Sequence, residues 1–320
     1  MNRPTRLRNH PVIRDLIKET HLSMNDIVYP IFVVEGHHIK NEISSMKNQY
    51  HYSIDQLEEA VKEWKNKGIR SLLVFGTPNH KDDQASSAYE KDGIVQQAIK
   101  AIKAIDKDMY VITDVCLCQY KSDGHCCFYH QEHINRKKTL KTLGQVALSH
   151  VEAGADMVAP SDMMDGRIEY IRSFLDQKGF EHIPIMAYSA KYASNFYGPF
   201  REAAHSTPSF GDRKMYQMDI GNSKEAMKEM VLDEQEGADI LMVKPAQMYL
   251  DIINQAKQRF DLPIAAYQVS GEYIMLYNAV KEGYLDEKAI YESLLAIKRS
   301  GADIIITYFA KEIQELMKKI

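Results

Sequence analysis

Apolar residues along the chain fall into two patterns: short uninterrupted runs, and longer stretches in which they recur every three or four positions. The runs at 27–34, 71–75, 110–115, 156–159, 183–188, 239–243, 263–269 and 303–307 have the length and continuity of strands buried on both faces, as in parallel sheets. Pro30 interrupts the first, so it must sit where its missing N–H is harmless. Helical spacing fills the intervals. Leu57, Val61 and Trp64 mark one face of a helix that Ser53 and Gln56 would open with a capping box and Gly68 would close. Further helices are predicted near 90–105, 136–153, 167–177, 222–236, 248–260, 272–299 and 311–319. Three joints nearly repeat: Gly154-Ala155-Asp156, Gly237-Ala238-Asp239 and Gly301-Ala302-Asp303 each introduce a strand, with glycine permitting the left-handed turn out of the helix before it.

Eight βα units in one chain predict an α/β fold of the (β/α)8 TIM-barrel type, which takes about 250 residues. The barrel is expected over residues 26–320 of the 320. The surplus lies in an N-terminal arm, residues 1–25, and in two long loops, 116–133 and 189–217. The arm is polar, with Arg3, Arg6, Arg8 and Arg14, and has little core-forming periodicity. A doubly wound open sheet is the competing architecture, but no glycine-rich phosphate-binding motif follows the first strands.

Composition narrows the partners. With 45% hydrophobic and 26% charged residues the chain has a globular balance, and a net charge of −4 offers no electrostatic argument for nucleic acid or an anionic membrane. No apolar run approaches the roughly 18 residues of a membrane span, and no signal peptide is visible. The four cysteines fall within positions 116–127, a spacing unlike a dispersed disulfide framework, so a reduced, cytoplasmic protein is expected.

Chemistry in such a barrel belongs at the carboxyl ends of the strands. The run before Pro245 stops on Lys244, and partial burial there would depress its pKa and leave free amine for Schiff-base formation with a carbonyl. Lys191 falls just past the preceding predicted strand, where the two ammonium groups would depress each other. Two imine-forming amines suggest two carbonyl substrates. Asp114, Ser161, Ser270 and Tyr308 belong to the same rim. The loop 189–217 is too long for an ordinary connection and rich in aromatics, Tyr197 and Phe200 among them, as expected of a lid. Its Arg201 and Arg213 suit a carboxylate, which guanidinium forks bind bidentately.

Cys116, Cys118 and Cys126 are spaced to bring three thiolates from one loop to a zinc ion. A catalytic zinc keeps a position open, whereas a structural one needs a fourth ligand. His125, Cys127, His130 and His133 are the candidates for that ligand.

Four segments also carry a resemblance that covers essentially the whole chain: Asp114-Val115-Cys116-Leu117-Cys118 with Gly124-His125-Cys126; Tyr188-Ser189-Ala190-Lys191 with Phe196-Tyr197-Gly198-Pro199-Phe200-Arg201; Met242-Val243-Lys244-Pro245; and Val269-Ser270-Gly271-Glu272. They resemble the porphobilinogen synthase family, also called 5-aminolevulinate dehydratase. The resemblance implies condensation of two 5-aminolevulinate molecules to porphobilinogen with loss of two waters, in tetrapyrrole and haem synthesis. It also implies an arm that wraps a neighbouring subunit of a homo-octamer. By position, Lys244 would hold the first-bound substrate, with Ser270 and Tyr308 at its carboxylate. Lys191 would take the second, with Arg201, Arg213 and Gln217 around its carboxylate. Asp114 and Ser161 would be polar partners, with no assigned proton-transfer role. Many bacterial members resemble one another in an activating Mg²⁺ site, and Glu229 matches its glutamate. Cys127 departs from the family pattern, where glycine follows the third cysteine. Two rival readings are a single-imine lyase or aldolase using Lys244 alone, and a zinc-responsive assembly protein with a silent barrel.

Overall fold

Each apolar run becomes a strand because every second residue faces the barrel interior while the residues between face the surrounding helices, so both sides are dry. The computed structural model describes residues 1–320. Its parallel strands are β1 (Ile27–Val34), β2 (Ser71–Thr77), β3 (Tyr110–Val115), β4 (Met157–Pro160), β5 (Met186–Lys191), β6 (Ile240–Lys244), β7 (Ile264–Gln268) and β8 (Ile304–Thr307). They hydrogen-bond in the order β4-β3-β2-β1-β8-β7-β6-β5. A single parallel bridge from Val158 to Ile185 closes the ring between β4 and β5. The fold is the (β/α)8 barrel predicted by the alternation. Every residue of β5, β6 and β7 is buried.

The repeated Gly-Ala-Asp joints have a second purpose beyond the turn. The glycines adopt φ of +107°, +97° and +120°. Each aspartate then reaches sideways to the strand before its own. Asp156 accepts the Val111 N–H at 2.7 Å, Asp239 that of Ile185 at 2.7 Å, and Asp303 that of Ile264 at 2.8 Å. One carboxylate at each joint thus fixes the stagger of two neighbouring strands at the end of the barrel away from the lysines.

Four details differ from the sequence reading. β5 starts and ends three residues later than predicted, because Pro184 has no N–H to give the ladder; Lys191 is therefore its last residue rather than the one beyond. The helical region 272–299 splits into Ser270–Lys281 and Lys288–Arg299 around Gly283 at φ +74°. The capping box at Ser53 and Gln56 does not form. The Ser53 hydroxyl accepts from the Ile39 N–H at 2.9 Å and donates to Asp55 at 2.7 Å, and the helix Leu57–Asn66 follows a single 3₁₀ turn. An antiparallel hairpin, Lys40–Ile43 with Met46–Tyr52, was not anticipated; its sequence has no apolar run, and its second strand also pairs with the end of β1 through Phe32 and Val33.

The arm carries a short helix, Pro11–Leu16, with no buried residue. The core begins at Leu22 and continues through the barrel to Leu316. No helix is long and apolar enough to cross a membrane.

Candidate active site

Lys244 and Lys191, the last residues of β6 and β5, are register partners across the two strands, past an irregularity between Leu241 and Val243. Both are only 5% exposed. The Lys191 ammonium donates to the Ser161 carbonyl and lies 5.5 Å from the Tyr188 ring centre. Lys244 is held by rings instead: its Nζ is 4.1 Å from the centre of Tyr267, 4.9 Å from Tyr188, 5.2 Å from Phe200 and 5.5 Å from Tyr197. Burial, reinforced by the neighbouring Lys191 charge, brings the Lys244 amine down to about 7. A large share of it is therefore unprotonated nucleophile near neutral pH.

Asp114 at the end of β3 faces these amines. One carboxylate oxygen accepts from the Gln119 amide at 3.0 Å, and the other is buried without a partner. Burial raises its pKa, against the pull of Lys191 and the Gln119 hydrogen bond. Asp114, Cys118, Ser161, Lys191, Arg213 and Lys244 line one cavity at the barrel mouth, roofed by Tyr197 and Phe200.

The loop 189–217 is fastened over that cavity. The Tyr197 hydroxyl donates to the Lys244 carbonyl at 3.1 Å, and the Phe200 N–H donates to the Ser270 hydroxyl at 3.0 Å. The Phe200 ring meets Phe75 edge-on at 5.0 Å. Tyr308 is buried, its phenol 3.0 Å from that of Tyr267. Ser270 and Tyr308 stand behind the cavity wall rather than on it.

Arg213 donates to the carbonyls of Gly124 and Ser206, yet its Nε has no partner; neither has the Nε of Arg201, nor either amide atom of the buried Gln217. Burial and the adjacent Arg213 both lower the Arg201 pKa. Two neighbouring guanidiniums with unpaired buried N–H groups are costly alone and are satisfied by an anion with several acceptors, such as a carboxylate. Gln217 faces an outer groove instead of the lysine cavity.

Cys116, Cys118 and Cys126 are buried with their sulfurs all within 4.8 Å of one another. The Cys116 thiol donates to Cys118 at 3.4 Å and the Cys118 thiol to the Gln119 side-chain oxygen at 3.3 Å, while the two thiols beside Cys126 hold its pKa well below the usual thiol range. Three convergent sulfurs, one already favouring the thiolate, could bind a soft or borderline metal ion. None of the candidate fourth ligands joins them. His125 has both nitrogens engaged, by the Tyr216 hydroxyl at 3.0 Å and the Phe210 carbonyl at 3.0 Å. Cys127 lies outside the cluster, with burial pushing its thiol up to about 12, and His130 and His133 are exposed. Cys118 belongs both to the cluster and to the lysine cavity, so the open side faces the amines.

The family model described as "Delta-aminolevulinic acid dehydratase" matches residues 1–316. The chain belongs to that family. It is 55% identical over 313 residues to the delta-aminolevulinic acid dehydratase of Methanothermus sociabilis, covering 98% of both chains, and 49% identical over 321 residues to that of Staphylococcus epidermidis, covering 99% of both. A crystal structure of the dehydratase (porphobilinogen synthase) from Toxoplasma gondii, in complex with the reaction product porphobilinogen, is similar with a TM-score of 0.97 at 41% identity, covering 100% of this chain and 92% of that one.

Within this dehydratase fold, Glu229 lies about half-buried on the outer groove that Asp165, Glu225 and Gln217 also border. Burial, against the attraction of Arg167, raises its pKa. No three ligand atoms converge there as they do at the cysteines. The sequence reading missed Phe75 and Gln119 as cavity residues. Phe75 lies near the end of β2, so the strand-end rule could have found it; Gln119 was masked by the cysteines beside it.

Proposed function

We propose that this chain condenses two 5-aminolevulinate molecules to porphobilinogen with loss of two waters, an early step of haem and other tetrapyrrole synthesis. Membership of the dehydratase family carries the reaction, and one observation carries the chemistry: two buried lysines side by side on one cavity with Arg213, whose Nε has no partner. The Toxoplasma relative is described with porphobilinogen bound, which supports the same pair of substrates here.

In this reading Lys244 and Lys191 are the catalytic residues. The free amine of each attacks a substrate ketone; the carbinolamine loses one water to give an imine, whose protonated form makes the adjacent carbon acidic enough for carbon–carbon bond formation. The aromatic walls formed by Tyr188, Tyr197, Phe200 and Tyr267 keep water from the Lys244 imine. The Ser161 carbonyl holds the Lys191 side chain in position before reaction, with the Asp114 carboxyl on the same cavity. Arg213, which lines the cavity, receives one substrate carboxylate together with Arg201. For Gln217 to join them, and for Ser270 and Tyr308 to reach the other carboxylate, the lid must first open and reseat over substrate, turning Gln217 in from the outer groove and uncovering Ser270, which the Phe200 N–H now occupies.

Cys116, Cys118 and Cys126 would hold one Zn²⁺ per chain, which when bound supplies Lewis-acid polarisation of a substrate oxygen or amine. Glu229 would hold an activating Mg²⁺ remote from the lysines; magnesium keeps most of its waters and needs only one or two carboxylates, as the outer groove offers. The reading further comprises a cytoplasmic homo-oligomer, an octamer, in which residues 1–25 reach a neighbouring subunit and residues 26–320 form the catalytic barrel, with no nucleic-acid or membrane partner.

Borohydride reduction of the enzyme in the presence of 5-aminolevulinate, followed by peptide mapping and metal analysis, tests the assignment. Adducts on Lys244 and Lys191 with about one zinc per chain are expected. Lys244→Ala and Lys191→Ala should each abolish pyrrole formation, and wild-type turnover in either would sink the two-imine mechanism.

A further inference from the structure

Glu272 is a fully buried carboxylate that the chemistry above does not use. It belongs to the segment Val269-Ser270-Gly271-Glu272, at the third position of the helix Ser270–Lys281. No cation sits against it; four backbone amides do. Its Oε1 accepts from Gln247 at 2.8 Å and Met248 at 3.2 Å, and its Oε2 from Val269 at 2.9 Å and Ala246 at 3.4 Å.

The origin of those donors is informative. Ala246, Gln247 and Met248 form the turn immediately after Lys244-Pro245, whereas Val269 closes β7 and precedes Ser270. A carboxylate has about four lone-pair sites, and here both oxygens are divided so that one side chain ties the exit of β6 to the exit of β7. The Lys244 carbonyl is held from the lid side by the Tyr192 N–H at 3.0 Å and the Tyr197 hydroxyl at 3.1 Å. The backbone of Lys244 is thus gripped by the lid at its own carbonyl and by Glu272 at the three amides that follow Pro245. Strand registry alone fixes the lysine as far as its Cα; the amine at the end of four methylenes is aimed only as well as the backbone beneath it.

We propose that Glu272 is the positioning residue for Lys244: by clamping the turn after β6 to the end of β7 it holds the amine within its cage of rings and at a fixed distance from Ser270. The proposal rests on the reading that Lys244 forms an imine. Glutamine at this position offers one acceptor oxygen and turns an NH₂ toward two N–H donors, which the site cannot satisfy. Aspartate keeps both acceptors but, one methylene shorter, reaches only one of the two segments well.

The probe is 4-oxopentanoate, a keto acid that lacks the substrate amine and so forms an imine without condensing. Wild type, Glu272→Gln and Glu272→Asp are reduced with borohydride in its presence across pH 5–10, and modification is quantified by peptide for Lys244 and Lys191 separately, alongside melting curves. We expect Glu272→Gln to slow trapping at Lys244 by about tenfold or more at pH 7. The midpoint of its pH dependence should rise, since a lysine displaced from the rings regains water and charge. Lys191 trapping should change less than threefold, and Glu272→Asp should recover part of the Lys244 rate. Trapping at Lys244 with the wild-type rate and midpoint in Glu272→Gln overturns the proposal, as does an equal loss at both lysines. If Glu272→Gln does not fold, Glu272→Asp is read by the same criterion, a loss at Lys244 exceeding that at Lys191. A wild-type enzyme that is never modified at Lys244 overturns the parent reading instead, so the two failures are distinct.

Discussion

On the proposed reading, Lys244 is a nucleophile drawn from a residue that burial ordinarily punishes. With its pKa at about 7 when folded and 10.5 when exposed, the folded state carries the whole cost of the charge below pH 7. Between pH 7 and 10.5 the unfolded chain binds a proton that the folded chain does not, so this group makes stability rise with pH over that window. Lys244→Met should therefore be inactive yet more stable than wild type, by on the order of 2 kcal/mol at pH 6 and by less at pH 9. Melting curves of both proteins at the two pH values decide it; an equal shift at both would mean that burial and the Lys191 charge do not depress the amine. Turnover of the wild type should climb through pH 7 from the acid side for the same reason. Lys244 was legible in the sequence because a charge ending an apolar run is conspicuous. Glu272 was visible only as a letter in a motif: its partners are backbone amides, which leave no mark in a sequence. Gln119, a neutral residue orienting Asp114, was silent for a similar reason.

At the scale of elements, the decisive junction is between the lid and the helix that starts at Ser270. A side chain at Gly271 would place its Cβ 2.6 Å from the Phe196 carbonyl oxygen and 2.8 Å from the Phe196 Cα, both backbone atoms of the lid. Neither can yield without moving the segment that carries Tyr197 and Phe200. Gly271→Ala should leave the barrel folded, with a melting point within a few degrees, while raising KM by about tenfold or more, because the lid no longer seats on Ser270 and lies off its productive position. Steady-state kinetics with limited proteolysis of 189–217 would check this; an unchanged KM with a lid still protected would show that the lid is not held through this contact. The strands and the long lid were legible as runs and as an interval too long to be a simple connection. The hairpin 40–52 was not, since it is held by pairing with β1 rather than by apolar content of its own, and the limits of β5 were displaced because the apolar pattern reads through Pro184 while the hydrogen-bond ladder does not.

The whole molecule leaves one segment without an intramolecular role. No residue before Leu22 is buried, and Leu7, Val12, Leu16 and Ile17 are 50%, 57%, 75% and 45% exposed on an arm that also bears four arginines. Before Leu22 the arm's one side-chain hydrogen bond to the rest of the chain is from Lys18 to the Tyr291 hydroxyl at 3.4 Å, and the apolar side chains repeated along it are more readily explained by a second copy of the chain than by solvent. The barrel core, which begins at Leu22, draws nothing from residues 1–21. A chain starting at Leu22 should thus melt cooperatively and keep the depressed Lys244 pKa, because its causes, burial in the barrel mouth and the neighbouring Lys191 charge, owe nothing to residues 1–21. Its assembly should nevertheless fall to a smaller species in sedimentation equilibrium, and rising ionic strength should drive the full-length protein in the same direction to the extent that Arg3, Arg6, Arg8 and Arg14 meet acidic partners. A shortened chain that sediments as the full-length protein does would leave the arm with no part in assembly. A shortened chain that fails to fold would show instead that the barrel depends on its neighbours for stability, which the continuous core argues against.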